Sequence, residues 1–112
     1  MITIEKLREF GADVDDGLSR CLNKADFYTN LVGKLTEDKT LYLLEQQLIR
    51  KDLDGAFETA HSLKGVYANL SLTPLIGPVT DITELLRNRT DTEYTELMDK
   101  LKNEFERLCE LQ

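Results

Sequence analysis

Apolar residues recur at helical spacing along almost the whole chain, and this periodicity limits the fold more than any other feature. Leu41, Leu44 and Leu48 repeat at intervals of three and four residues, as one face of an amphipathic helix does. Leu101 and Phe105 belong to a similar repeat near the C-terminus. No stretch has the strict alternation of polar and apolar residues that a β-strand requires. The sequence therefore predicts an all-α fold.

Turn and capping signals divide the periodic sequence into helices. Aspartates before Gly55 can cap a helix start, and Thr73-Pro74 places a capping hydroxyl before a proline at the first helical position. Pro78 lies deeper in the same helix, where we expect a bend or a later helix start. Helices are predicted over about residues 23–36 and 39–51, from the junction at 52–55 to about 71, from 73 to about 88, and after the turn at 88–91 to the C-terminus.

Short turns between long helices determine how those helices pack. Helices of about 13–20 residues joined by turns of two to four residues predict an antiparallel up-down four-helix bundle. The bundle is expected to occupy about residues 23–111, and shorter helices within about residues 1–22 should form an N-terminal cap over one end. A chain of 112 residues suits one domain, so residues 1–112 are expected to form a single unit.

The charge balance makes several classes of partner improbable. The chain has 14 Lys and Arg residues against 21 Asp and Glu residues, which gives a formal net charge of −7. Such an acidic surface repels nucleic acids and anionic membranes. No apolar run approaches the roughly 18 residues of a membrane helix, and Glu5 and Glu9 stand where a signal peptide would be apolar. A cytoplasmic protein is expected.

The supply of reactive side chains narrows the possible chemistry further. Cys21 and Cys109 are far apart, with no second cysteine or histidine nearby, and they indicate neither a disulfide framework nor a zinc site. His61 is the only histidine, which excludes sites built on two histidines. Glycine-rich nucleotide-binding motifs are absent. No cofactor is expected.

The helix that contains His61 has an unusual outer face. At about 100° per residue, His61 points away from the apolar stripe that should face the core. That stripe is expected to contain Ala56, Ala60, Leu63, Val66, Tyr67 and Leu70.

The residues around His61 differ from the charged residues of an ordinary solvated helix face. Phe57 lies one turn before it, Lys64 and Gly65 one turn after it, and Ala68 two turns after it, with Leu72 beyond. Glycine inside a helix costs about 1 kcal/mol relative to alanine. A missing side chain beside His61 would let another molecule approach the ring. A flat apolar face centred on a nucleophilic ring indicates a docking surface.

The segment Ala60-His61-Ser62-Leu63-Lys64-Gly65, followed by Ala68-Asn69-Leu70, resembles the AHxLKG signature of histidine-containing phosphotransfer (HPt) domains. The resemblance extends from about Val14 to Leu108. Two departures lie after the signature: Ser71 stands where the family often has glycine, and Tyr67 where small residues are common.

The resemblance implies a function and assigns roles to these residues. His61 would accept a phosphoryl group from the receiver-domain aspartate of a hybrid sensor histidine kinase and pass it to an aspartate of a response regulator. Lys64 would stabilise the phosphoryl charge and Gly65 would provide steric access. The implied protein is a monomeric carrier rather than an enzyme, and its Mg²⁺ would belong to the partner's receiver domain. Phe57, Ala68 and Leu72 would contact that partner.

Two alternative functions remain open at the level of sequence. The chain could be the phosphoacceptor domain of a larger histidine kinase, although Met1 and the short length favour a free-standing protein. It could also be a helical scaffold that binds receiver domains without being phosphorylated. Retention of both His61 and Lys64 favours the phosphorylated carrier over the scaffold.

Overall fold

A computed structural model describes all 112 residues as seven α-helices joined by turns, with no strand. The all-α prediction is confirmed, and the predicted boundaries differ from the observed ones by a few residues. The helices are α1 (Ile4–Phe10), α2 (Val14–Arg20), α3 (Ala25–Thr36), α4 (Thr40–Ile49), α5 (Leu53–Asn69), α6 (Thr73–Arg87) and α7 (Thr95–Cys109).

The longer helices pack in chain order. Helix α5 packs against α4 and α6, and α6 packs against α7, while α2 contacts α3 and α3 contacts α7. Helices α5 and α6 run antiparallel, because Phe57 lies beside Arg87 while Lys64, two turns later on α5, lies beside Glu84. These contacts are those that an up-down bundle requires, and the complete antiparallel arrangement of four helices stays a prediction.

One hydrophobic core of 25 buried side chains connects the helices, and it corrects the predicted face of α3. Phe27, Leu31 and Leu35 recur at intervals of four residues, which predicts one buried face that includes Phe27. In the structure Phe27 is instead 51% exposed, whereas Tyr28, Val32 and Leu35 are buried. The two possible stripes on α3 differ by one residue. Tyr28 takes the buried position because its hydroxyl donates to the Leu70 carbonyl inside the bundle, at 2.7 Å.

The start of α6 also differs from its prediction. The helix begins at Thr73 itself, with Leu72 at the capping position and no side-chain cap, and it continues through Pro78. The expected cap at Thr73 and the alternative of a later start are therefore wrong. The Leu72 carbonyl accepts a hydrogen bond from the Leu75 N–H at 2.9 Å, so the helix begins one residue too early for the Thr73 hydroxyl to cap it.

The helix that contains His61 is fixed at its N-terminal end by an aspartate cap. The Asp52 carboxylate accepts a hydrogen bond from the Gly55 backbone N–H at 3.1 Å, which confirms the predicted capping role of this junction. Asp54 lies in the first turn of α5, where its negative charge is favourable to the helix dipole.

The C-terminal end of α5 is fixed by a turn around Ser71. The N–H of Ser71 donates to Ala68 and that of Leu72 to Tyr67, each at 3.0 Å, which forms a Schellman motif. Ser71 has a φ of 54°, so this serine occupies the left-handed position that usually belongs to glycine. Its hydroxyl donates to the Asp16 carboxylate on α2. Ser71 therefore ends α5 and also attaches that end to the N-terminal helices.

The length and composition of the helices do not suit a membrane span. The longest, α5, has 17 residues, and none of the seven is both long and apolar enough to cross a bilayer.

Candidate functional site

His61 lies exposed near the middle of α5, as its position opposite the core stripe predicts. The opposite side of the helix is buried in the bundle core through Ala56, Ala60, Leu63 and Tyr67. A side chain in the middle of a capped helix has a fixed backbone beneath it. The imidazole is therefore presented to solvent from a rigid support.

An aromatic side chain lies directly against the imidazole. The rings of Phe57 and His61 are stacked, with centroids 5.9 Å apart and an interplanar angle of 19°. The Arg87 guanidinium, on α6, lies 5.2 Å from the centroid of the Phe57 ring. This is cation–π distance, so Phe57 joins the histidine to an arginine of the neighbouring helix.

Lys64 lies one turn after His61 and has an acidic partner. Its ammonium nitrogen is 3.9 Å from Oε1 of Glu84, and Nε of Arg87 is 3.3 Å from Oε2 of the same carboxylate. The Lys64 side chain is 33% exposed and that of Glu84 51% exposed. Ion pairs this open to solvent are weak, about 0–1 kcal/mol, so Lys64 can leave Glu84 for a stronger anion.

The surface beside His61 is open at Gly65. A Cβ atom placed on Gly65 would meet no atom within 4 Å, and the residue is exposed. Ala68, two turns after the histidine, is half-buried and adds little height to the face. The structure thus leaves space above α5 on the C-terminal side of the imidazole.

Two of the positions predicted from the angular pattern of α5 need correction. Leu72, a predicted partner contact, is fully buried and cannot reach a partner. Val66, predicted to belong to the core stripe, is 38% exposed. It lines a shallow groove of about 310 Å³ between α3 and α5, together with Leu31, Lys34, Leu35, Asp38, Asn69 and Leu70. The exposed apolar surface therefore extends toward α3 at Val66 rather than beyond α5 at Leu72.

Arg87 and Glu84 belong to the site although sequence reasoning did not select them. Both lie on α6, more than 20 residues after His61 in the sequence. Their relation to His61 depends on the register between α5 and α6, which no periodicity within one helix reveals. The only sequence signal was the polar character of their side of α6, and that is equally typical of a solvated surface.

One further cavity and the two cysteine thiols form no part of the surroundings of His61. A cavity of about 620 Å³ opens between the end of α4 and the start of α7, and its lining does not include His61. Cys21 is buried, and burial raises the pKa of the half-buried Cys109 thiol. No group of three or more His, Cys, Asp or Glu side chains is arranged to hold a metal ion.

Comparison with known proteins gives one relevant finding. The family model described as the Hpt domain matches residues 36–111, which extend from the end of α3 to the penultimate residue and include His61, Lys64, Glu84 and Arg87. Helices α1 and α2 and most of α3 lie outside the match. No curated protein and no solved structure matches the chain.

Proposed function

The chain belongs to the Hpt domain family, whose members act in histidine phosphotransfer in two-component signalling, and we propose that His61 is its phosphoryl-accepting residue. Such domains are carriers of the phosphoryl group rather than classical enzymes. One observation supports the assignment above the others. His61 is the only histidine of the chain, and it is exposed on the face of α5 opposite the bundle core.

The proposed reaction requires a neutral imidazole with a free lone pair. An imidazole nitrogen of His61 attacks the phosphorus of a phospho-aspartate on a receiver domain. The bond from phosphorus to the aspartate oxygen breaks, the carboxylate leaves with the bonding electrons, and an N–P bond forms. The reverse sequence, with an aspartate of a response regulator as the nucleophile, passes the group on.

Two cations of this chain are placed to stabilise the transferred group. Phosphoryl transfer spreads negative charge over the phosphoryl oxygens, which nearby cations stabilise. Lys64 lies one turn from His61 on the same side of α5, and Arg87 lies beside Phe57. We assign the first role to Lys64. Mg²⁺ would be supplied by the receiver domain, as in the sequence-based expectation.

The partner is expected to dock mainly through apolar contacts. The chain has a net charge of −7, and a receiver domain carries acidic metal ligands at its phosphorylation site, so the two proteins repel each other at long range. Phe57, Gly65 and Ala68 provide an uncharged surface around His61, and Val66 extends it toward α3. Mg²⁺ on the receiver would reduce the repulsion.

We propose a hybrid sensor kinase as the donor, a response regulator as the acceptor, and a monomer in the cytoplasm as the working form. The alternative, a phosphoacceptor domain within a larger histidine kinase, uses the same residue and the same chemistry.

A transfer assay tests the assignment of His61. The purified chain is incubated with a phosphorylated receiver domain, and label is followed onto a product that is labile to acid and stable to base, as phosphohistidine is. His61→Gln should take no label, while its unfolding free energy stays within about 0.5 kcal/mol of wild type, because exposed side chains contribute little to stability. A matched control, Ser62→Ala, changes the next exposed residue and should keep the label.

The outcomes separate the possible functions. Label that persists in His61→Gln contradicts the assignment. A wild-type chain that binds receiver domains and takes no label would favour the scaffold alternative.

A further inference from the structure

One carboxylate neutralises both cations of the candidate site. Oε1 of Glu84 faces Lys64 at 3.9 Å, and Oε2 of the same carboxylate faces Nε of Arg87 at 3.3 Å. Arg87 in turn lies over the Phe57 ring, and that ring is stacked on His61. The two cations of the candidate site therefore share a single counter-ion on α6.

A phosphoryl group on His61 would need the same cations. It carries about two negative charges and three acceptor oxygens near neutral pH, as other protein-bound phosphates do. Lys64 is at the i+3 position, where a helical side chain can reach the substituent of His61. While Lys64 is paired with Glu84 it cannot pair with the phosphoryl group, and the negative charge of Glu84 also repels that group.

We propose that Glu84 competes with the phosphoryl group of His61 for Lys64 and Arg87, and thereby shifts the phosphotransfer equilibrium away from phosphohistidine. This inference rests on the proposed function of His61. Glu84 is a positioning residue here, since it acts through the two cations and forms no bond to the transferred group. Its effect is to keep the chain a carrier that gives up its phosphoryl group readily.

The exposure of these side chains sets the size of the effect. Lys64 is one-third exposed, and Glu84 and Arg87 are each about half exposed, so water and salt screen their interactions. A screened ion pair corresponds to a change of about two- to fivefold in an equilibrium constant. The competition is therefore a moderate adjustment of the equilibrium, and it does not block phosphorylation.

The test is the plateau of transfer between this chain and a phosphorylated receiver domain. The reaction is a reversible transfer of one phosphoryl group between an aspartate oxygen of the receiver and the imidazole nitrogen of His61, so no atoms are gained or lost. The ratio of label on His61 to label on the receiver is measured at equilibrium for wild type and Glu84→Gln. We expect the ratio to rise about two- to fivefold at low ionic strength in the variant, and the difference to shrink in about 1 M salt, where the Debye length is only about 3 Å.

Two further variants separate this role from docking or folding. Glu84→Asp keeps the charge and should stay close to wild type. Asp81→Asn removes an exposed charge one turn earlier on α6, where it forms no ion pair, and should change the ratio less than Glu84→Gln does. An effect of Glu84 on docking would change how fast the plateau is reached but would leave the ratio unaltered.

The results separate a failure of the role of Glu84 from a failure of the assignment of His61. A wild-type chain that takes no label overturns both. A wild-type chain that is labelled, with an equal ratio in Glu84→Gln or an equal rise in Asp81→Asn, overturns only the role of Glu84. A rise confined to Glu84→Gln that disappears with salt supports it.

Discussion

Replacing Gly65 by glutamine should change stability and phosphoryl transfer in opposite directions. Glycine in a helix interior is about 1 kcal/mol less favourable than alanine, and glutamine is close to alanine on the same scale. The new Cβ atom meets nothing within 4 Å, so no clash offsets this gain. We expect the free energy of unfolding to rise by about 0.5–1 kcal/mol, which corresponds to a Tm increase of about 2–6 °C for a domain of this size.

The same substitution should slow transfer from a phosphorylated receiver. The glutamine side chain would stand one turn after His61 on the same face, in the space through which the receiver must approach the imidazole. Displacing the reacting atoms by about 1 Å can cost two orders of magnitude in rate, so a decrease of at least about tenfold is expected. Single-turnover transfer and thermal denaturation of the same preparation measure the two effects.

Two alanine variants provide the matched comparison. Gly65→Ala should give a similar gain in stability with a smaller loss of transfer, because its side chain is short. Gly33→Ala makes the same change in α3, where the new Cβ would meet the Gln112 side chain at an ordinary 3.6 Å, and it should leave transfer unchanged. Transfer by Gly65→Gln at the wild-type rate would show that the docking face lies elsewhere. A lower Tm would refute the helix argument.

Two further predictions concern the contacts that attach α2 to the rest of the bundle. Gly17→Ala should lower the unfolding free energy by about 1–3 kcal/mol in urea denaturation, because its Cβ would overlap the buried Tyr28 ring; unchanged stability would show that this ring can move. A hydrogen bond from Ser71, and to a smaller extent one from Arg20, holds the pKa of Asp16 below its ordinary value of 3.8. A lowered folded-state pKa stabilises the protein above the unfolded-state pKa, and that stabilisation disappears as the pH falls through the folded-state pKa. The stability deficit of Ser71→Ala should therefore be largest near neutral pH and shrink below about pH 4, and a deficit independent of pH would contradict the argument.

Side-chain exposure that depends on position within one helix could be predicted from the sequence. The exposure of His61 and the open surface at Gly65 follow from the angular position of residues on α5, and both were predicted in this way. The same reasoning failed at Leu72. Angular positions hold only while the helix continues, and α5 ends at Asn69 before the left-handed turn at Ser71.

Features that depend on how two helices pack could not be predicted from the sequence. The choice between Phe27 and Tyr28 as the buried aromatic of α3 was decided by the distant Leu70 carbonyl. Val66 is exposed because α3 and α5 leave a groove between them. Arg87 and Glu84 lie in the site because of the register of α6 against α5. In each case the relevant neighbour lies on another helix, and one periodic pattern cannot identify it.

The stacking of Phe57 on His61 also makes this chain its own spectroscopic reporter. Because His61 is the only histidine, its two carbon-bound imidazole protons are the only histidine ring C–H signals in a proton NMR spectrum of the unlabelled protein. An aromatic ring at 5.9 Å and nearly parallel shifts those signals through its ring current. Any event that tilts or separates the two rings, such as phosphorylation of the imidazole or the arrival of a partner, would change the resonance positions. Occupancy of the site could thus be followed in the native chain without a tag or a substitution.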